Sequence, residues 1–274
     1  MAAIEPRRAP SCKMAIAPPA KTTASAWPNR GDAPGNDEAV THPSGAFMGL
    51  LMLETRFPRP PGDVGHAETF NFPVRRCIVA GAGPRRVVLG NADGLLAAFV
   101  DTARMLVDQG ACAIGTSCGF LATHQRTLAA ALSVPVASSS LLQCAWLASM
   151  LPQDKVTGVV TIDAAALTPA HLAAVGAPAG TPIEGVDPHG EFATCLLNDE
   201  PAMDTARAAL EVVDAAARLV ARRPDVGAIV LECTNMPPYA AAVAVATQRP
   251  VYDVVTLLNW LWSGATRAAG APNR

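Results

Sequence analysis

Two cysteines of this 274-residue chain stand where a thiol can do chemistry. The first ends the run Ala113-Ile114-Gly115-Thr116-Ser117-Cys118 and is followed by Gly119-Phe120. The second ends the run Ile229-Val230-Leu231-Glu232-Cys233 and is followed by Thr234-Asn235-Met236-Pro237-Pro238. In both, an apolar strand pattern runs into a cysteine flanked by hydroxyl or amide side chains, and a helical pattern begins at once. A helix start offers unpaired backbone N–H groups and a partial positive charge, and both favour a thiolate. The same N–H groups, together with Thr116, Ser117, Thr234 and Asn235, suit a substrate carboxylate. Ligands of open α/β sheets bind beyond the carboxyl ends of the strands, which is where these cysteines fall.

Other residues fit less chemistry. Arg56 and Arg59 lie in the proline-rich stretch Glu54–Asp63 and are candidates for binding a distal carboxylate, Arg56 foremost. His124 reads as a helix residue near the cleft. His189 and Glu191, in Asp187-Pro188-His189-Gly190-Glu191, read as a loop that either lines the cleft or faces solvent. Ser138-Ser139-Ser140 reads as a helix N-cap at Ser139 or Ser140. Ala80-Gly81-Ala82-Gly83 lacks the third glycine of a dinucleotide fingerprint. No set of His, Cys and carboxylates has metal-ligand spacing, so neither a metal nor an organic cofactor is expected. Cys12, Cys77, Cys112, Cys144 and Cys195 read as small buried hydrophobes.

The elements that must position the two motifs follow an alternating pattern. Strands are expected at Phe47–Leu53, Val74–Ala80, Ala111–Gly115, Val134–Ala137, Val156–Ile162, Ile183–Val186, Ala228–Leu231 and Val251–Val254. Helices are expected at Asp93–Asp108, Phe120–Leu132, Leu141–Met150, Pro169–Val175, Met203–Arg222, Pro238–Thr247 and Thr256–Arg267. Thr168 and Pro169 supply the cap and first position of one of these. Gly81–Arg86 reads as a turn. Alternation of this kind gives βαβ units and a parallel sheet. Several strands are continuous apolar runs, as in a sheet covered by helices on both faces.

Composition narrows the class. Half of the residues are hydrophobic, 16% are charged and only 5% are aromatic, so Ala, Val and Leu must fill a sizeable core. A net charge of −2 speaks against a nucleic-acid partner. Seven cysteines without a CxxC pair do not suit a secreted disulfide scaffold. No run of about 18 apolar residues exists, so a membrane span is not expected. Residues 1–45 are rich in Pro, Ala, Ser and Thr and read as a disordered tail. The expected setting is the cytoplasm, and a homo-oligomer is compatible with everything above.

The pair GTSCGF and ECTNMPP resembles the aspartate/glutamate racemase superfamily, which carries one cysteine motif in each half of the chain. The resemblance spans about Ala46 to Ala265 and is most specific at the second motif. It implies two similar α/β lobes, each a mostly parallel sheet flanked by helices, with the active site in the cleft between them. Residues 46–135, completed by 248–274, would form the first lobe and residues 136–247 the second. Cys118 and Cys233 would then be an acid and a base on opposite faces of a carbon next to a carboxylate, with no pyridoxal phosphate. The expected activity is racemisation or isomerisation of a small amino acid or related carboxylate of the aspartate or glutamate kind. The chain departs from glutamate racemases in three places. Gly119-Phe120 follows Cys118 in place of an Asn-Thr pair, Glu54-Thr55 stands near an expected Asp-Ser, and Asn235 stands where His is frequent. The superfamily also holds decarboxylases, which need one of the two cysteines, and algal dimethylsulfoniopropionate lyases, whose first motif also reads Cys-Gly-Phe. A lyase on the same scaffold is therefore the alternative, and a binding protein with structural cysteines the third reading.

Overall fold

The computed structural model of the protein describes residues 45–269. Cys12, and the tail at 1–45 except Gly45, lie outside the described residues. The fold is α/β, with two four-stranded parallel sheets of the same strand order. The first holds β1 (Phe47–Met52), β2 (Val74–Ile78), β3 (Ala111–Thr116) and β4 (Val136–Ala137), in the order β2-β1-β3-β4. The second holds β5 (Val156–Thr161), β6 (Ile183–Gly185), β7 (Val226–Leu231) and β8 (Val251–Tyr252), in the order β6-β5-β7-β8. The connecting helices are α1 (Pro84–Val88), α2 (Leu96–Asp108), α3 (Gln125–Ala131), α4 (Gln143–Met150), α5 (Pro169–Ala174), α6 (Glu191–Asn198), α7 (Thr205–Arg222) and α8 (Ala240–Thr247); α9 (Val254–Ala269) closes the described chain.

The central strands are apolar because helices cover both of their faces. All six residues of β1 are buried, as are five of the six in β7. The long helix α7 turns one stripe inward, with Ala208, Val212, Ala215, Ala216 and Leu219 buried at helical spacing. Helix α9 follows β8 of the second sheet yet packs on β3 of the first. Helix and strand meet closely at Gly115, where a Cβ would lie 2.8 Å from Leu258 Cδ2. In each lobe the first strand lies beside the third, so the chain leaves them in opposite directions. A crevice opens beyond their carboxyl ends at that switch. Cys118 follows β3 and Cys233 follows β7, which are equivalent positions in the two sheets.

Local departures from the sequence expectation have physical causes. The stretch after Gly190 is helix α6, not a loop. Its first N–H groups, from Glu191 and Phe192, donate to the Glu211 carboxylate of α7 at 2.9 Å, a capping partner about 20 positions later in the chain. A short helix, α1, stands at Pro84–Val88, where the glycines suggest a turn. A 3-10 helix at Gly119–His124 precedes α3, and another at Pro237–Tyr239 precedes α8. The turn that brings the chain out of each cysteine motif is thus tighter than an α-helix start.

Candidate active site

The two motifs come together. Ser117, Cys118, Gly119 and Phe120 of one lobe and Glu232, Cys233, Thr234 and Asn235 of the other line a single small cavity. Leu53, Phe57, Pro84, Val88, Ile162, Leu196 and Leu197 complete it, so the rest of the wall is apolar. Both thiols are nearly out of solvent, Cys118 at 6% exposure and Cys233 at 8%.

The hydroxyl and amide residues hold this arrangement. The Ser117 N–H donates to Leu51 O and its Oγ accepts from the Leu53 N–H, both at 2.9 Å, which fastens the first motif to the end of β1. Thr116 Oγ1 donates to Ser138 O at 2.7 Å and to Cys118 O at 3.2 Å; it braces the strand end and is not among the cavity-lining residues. Thr234 Oγ1 donates to Ser117 O at 2.6 Å, a direct link between the two motifs. Ser140 Oγ donates to Leu231 O at 2.8 Å, while Ser139 is the N-cap anticipated from the serine triplet. Asn235 Nδ2 donates to Asp63 Oδ2 at 2.6 Å, and Asn235 Oδ1 accepts from Cys233 Sγ at 3.7 Å.

Asp63 anchors that last chain of contacts. It is fully buried, pairs with Arg59 at 2.9 Å and accepts the Gly65 N–H at 2.7 Å. The proline-rich loop that carries it therefore packs onto the second motif. Arg56, from the same loop, goes elsewhere. Its side chain is 72% exposed and paired with Asp199 at 3.2 Å, in a separate depression. His124 Nε2 lies 3.1 Å from Asn91 O, and neither it nor His189 is among the cavity-lining residues. The Glu191 carboxylate accepts the Asp204 N–H.

Electrostatics correct one expectation. The thiols are not shifted toward thiolate. Burial, then the neighbouring Glu232, pushes Cys118 up to about 12, against the opposing influence of the Phe120 N–H and Arg59. Burial and Glu232 likewise raise Cys233 well above the ordinary thiol range, with the Asn235 N–H acting the other way. Each sulfur thus has a backbone N–H two residues further on, a matched detail of the two motifs. Desolvation outweighs these donors because the cavity wall is otherwise apolar.

Glu232 is the residue that sequence reasoning left without a role. It is fully buried; Thr161 Oγ1 donates to its Oε2 at 2.7 Å, and its Oε1 has no hydrogen-bond partner. Burial raises its carboxyl to about 7, Thr161 acting against the shift. A Cβ on Gly119 would lie 2.2 Å from that free Oε1 and 2.4 Å from the Glu232 carbonyl oxygen. The glycine after Cys118 is thus the space in which the carboxyl after β7 sits. The signal in the sequence was a carboxylate ending an otherwise apolar strand. Asp63 was hidden among loop residues.

Among the described residues, no group of three or more His, Cys, Asp or Glu could hold a metal ion, and no helix is long and apolar enough to cross a membrane. No family model matches the chain. By sequence it is 27% identical to dimethylsulfoniopropionate lyase 5 of Emiliania huxleyi over 89% of this chain and 50% of that protein. It is 28% identical to the dimethylsulfoniopropionate lyase of Durusdinium sp. clade D over 88% of this chain and 81% of that one. It therefore spans only half the length of the first. By structure it is similar to arylmalonate decarboxylase, with a TM-score of 0.52 at 18% identity over 83% of this chain and 94% of the other. A glutamate racemase from Bacillus anthracis gives a TM-score of 0.51 at 16% identity over 82% and 83%. The chain shares the two-lobed α/β fold of those two structures. Its relatives by sequence are lyases, and those by structure a racemase and a decarboxylase.

Proposed function

We propose that this chain is a cofactor-independent enzyme that removes the proton next to the carboxylate of a small substrate with its thiol pair. We further propose that the reaction is a β-elimination of the kind a dimethylsulfoniopropionate lyase performs. The observation that carries the first part is the placement of two buried thiols, from equivalent strand ends of two lobes, in one cavity. The second part is supported by the sequence relatives and by the wall of that cavity. No Arg, Lys or His side chain is among its lining residues, so nothing there pairs with the second carboxylate of aspartate or glutamate. A substrate with one carboxylate, set against the polar lining residues Ser117, Thr234 and Asn235, suits it better.

The balance of the step is simple. A thiolate takes the α-proton, the electron pair forms the Cα–Cβ double bond, and the β-carbon–sulfur bond breaks. Dimethylsulfoniopropionate would give dimethyl sulfide and acrylate, and the thiol would return its proton to water. The second reading is racemisation, in which the opposite thiol returns a proton to the other face; the presence of both cysteines favours it. Incubation in deuterated water separates the two. Elimination of dimethylsulfoniopropionate gives acrylate and dimethyl sulfide, whereas racemisation of a chiral amino acid gives a deuterated enantiomer, read by chiral chromatography. Full exchange and full turnover in both Cys118→Ala and Cys233→Ala would sink the thiol mechanism altogether.

A further inference from the structure

We infer that Glu232 is the seat for a cationic substituent on the substrate, and so the residue that selects an onium-bearing carboxylate over an uncharged one. This rests on the reading of the cavity as a substrate site. Three observations carry it. Glu232 supplies the one charged side chain in the lining. Its carboxyl is fully buried with Thr161 as partner to one oxygen, while the other oxygen has none. Buried charges in folded proteins are paired, so an unpaired carboxylate oxygen beside a cavity is a partner short. The Phe120 ring lines the same space, and aromatic rings attract cations.

The neighbouring groups do not supply the missing charge. The thiols of Cys118 and Cys233 face Glu232 and are uncharged at neutral pH because burial raises them. Arg59 is committed to Asp63, and His171 on α5 packs edge-on against the Phe120 ring with its Nδ1 on Thr168. A small onium group would complete Glu232 and remove the cost of its burial. It would also place positive charge next to the thiols, which favours a thiolate when substrate is present and not before.

The test uses two ligands of one shape: propionate carrying a trimethylammonium group on the β-carbon, and its uncharged isostere carrying a tert-butyl group. Calorimetric titration of the intact protein should show the cation bound about tenfold or more tightly than its isostere, the scale of a charge-assisted contact. Glu232→Gln should erase that ratio. In the unaltered protein the ratio should also fall on acidification through pH about 7, where the Glu232 carboxyl takes up its proton. Equal or tighter binding of the isostere, binding of neither ligand, or a ratio that survives Glu232→Gln would overturn the inference. If that variant does not fold, a ratio constant across the acidification overturns it alone. The titration needs no turnover, so its outcome is independent of whether the thiols exchange the α-proton.

Discussion

Glu232→Gln also measures what the site costs the fold. The carboxyl sits at about 7 in the folded protein against an ordinary 4.5, so the native state binds its proton more tightly than the unfolded chain does. Its stabilising contribution is therefore fully present below pH 4.5 and is lost as pH rises through about 7. At about 1.36 kcal/mol per pH unit, that interval is worth about 3 kcal/mol. Glutamine keeps the shape and the Thr161 contact and does not titrate. The difference in unfolding free energy, unaltered protein minus variant, should fall by about 3 kcal/mol between about pH 4 and about pH 8. Urea unfolding of the full chain across that range, followed by tryptophan fluorescence, gives the curve. Carboxylates common to both proteins cancel in the difference, and the two thiols titrate above the window. A difference that stays flat to within about 0.5 kcal/mol would refute the claim that Glu232 is buried without a compensating charge.

Asp63→Ala strands Arg59, which is only 13% exposed, and frees the Asn235 amide. Loss of one partner of a buried pair predicts a cost of about 3 kcal/mol in chemical denaturation, with turnover falling as the second motif loosens. Thr234→Val removes the hydroxyl that joins the motifs and leaves the buried Ser117 carbonyl without that donor. A cost of about 1 to 2 kcal/mol is expected by the same measurement.

The fold was legible because its determinants are periodic. Continuous apolar runs such as Phe47–Met52 and the stripe of α7 reveal covered strands and an amphipathic helix. What escaped was set by partners distant in sequence. Helix α6 is capped by Glu211, and no local pattern predicts that. In the site, the cysteines and the residues beside them could be read because the motif occurs twice. Thr116 and Arg56 carried the right chemistry but point to a strand brace and to an exposed ion pair. The pKa direction of the thiols could not be read either. It depends on how apolar the opposite wall is, and that wall is drawn from five separate segments of the chain: Leu53 and Phe57, Pro84 and Val88, Phe120, Ile162, and Leu196 with Leu197.

The two thiols differ in their hydrogen bonds, and under the proposed mechanism that difference selects the base. The Asp63 carboxylate is an acceptor only, so it draws the NH₂ of Asn235 toward itself at 2.6 Å. The amide oxygen is then left facing Cys233, whose sulfur must carry a proton to donate to it. A hydrogen bond of that kind favours the neutral form, and Glu232 adds to it by opposing negative charge. Cys118 makes no such hydrogen bond among the described residues, and Arg59 acts to lower its pKa. Under the proposed thiol mechanism, Cys118 is therefore the thiol expected to ionise when substrate charge arrives, and Cys233 the one expected to stay protonated. In an elimination, only the base is needed to break the carbon–hydrogen bond. Cys118→Ala should then lose about 10²–10⁴-fold in single-turnover formation of the alkene, while Cys233→Ala loses much less. Equal losses, or the larger loss at Cys233, would reverse the assignment and with it the role given to Asp63 and Asn235.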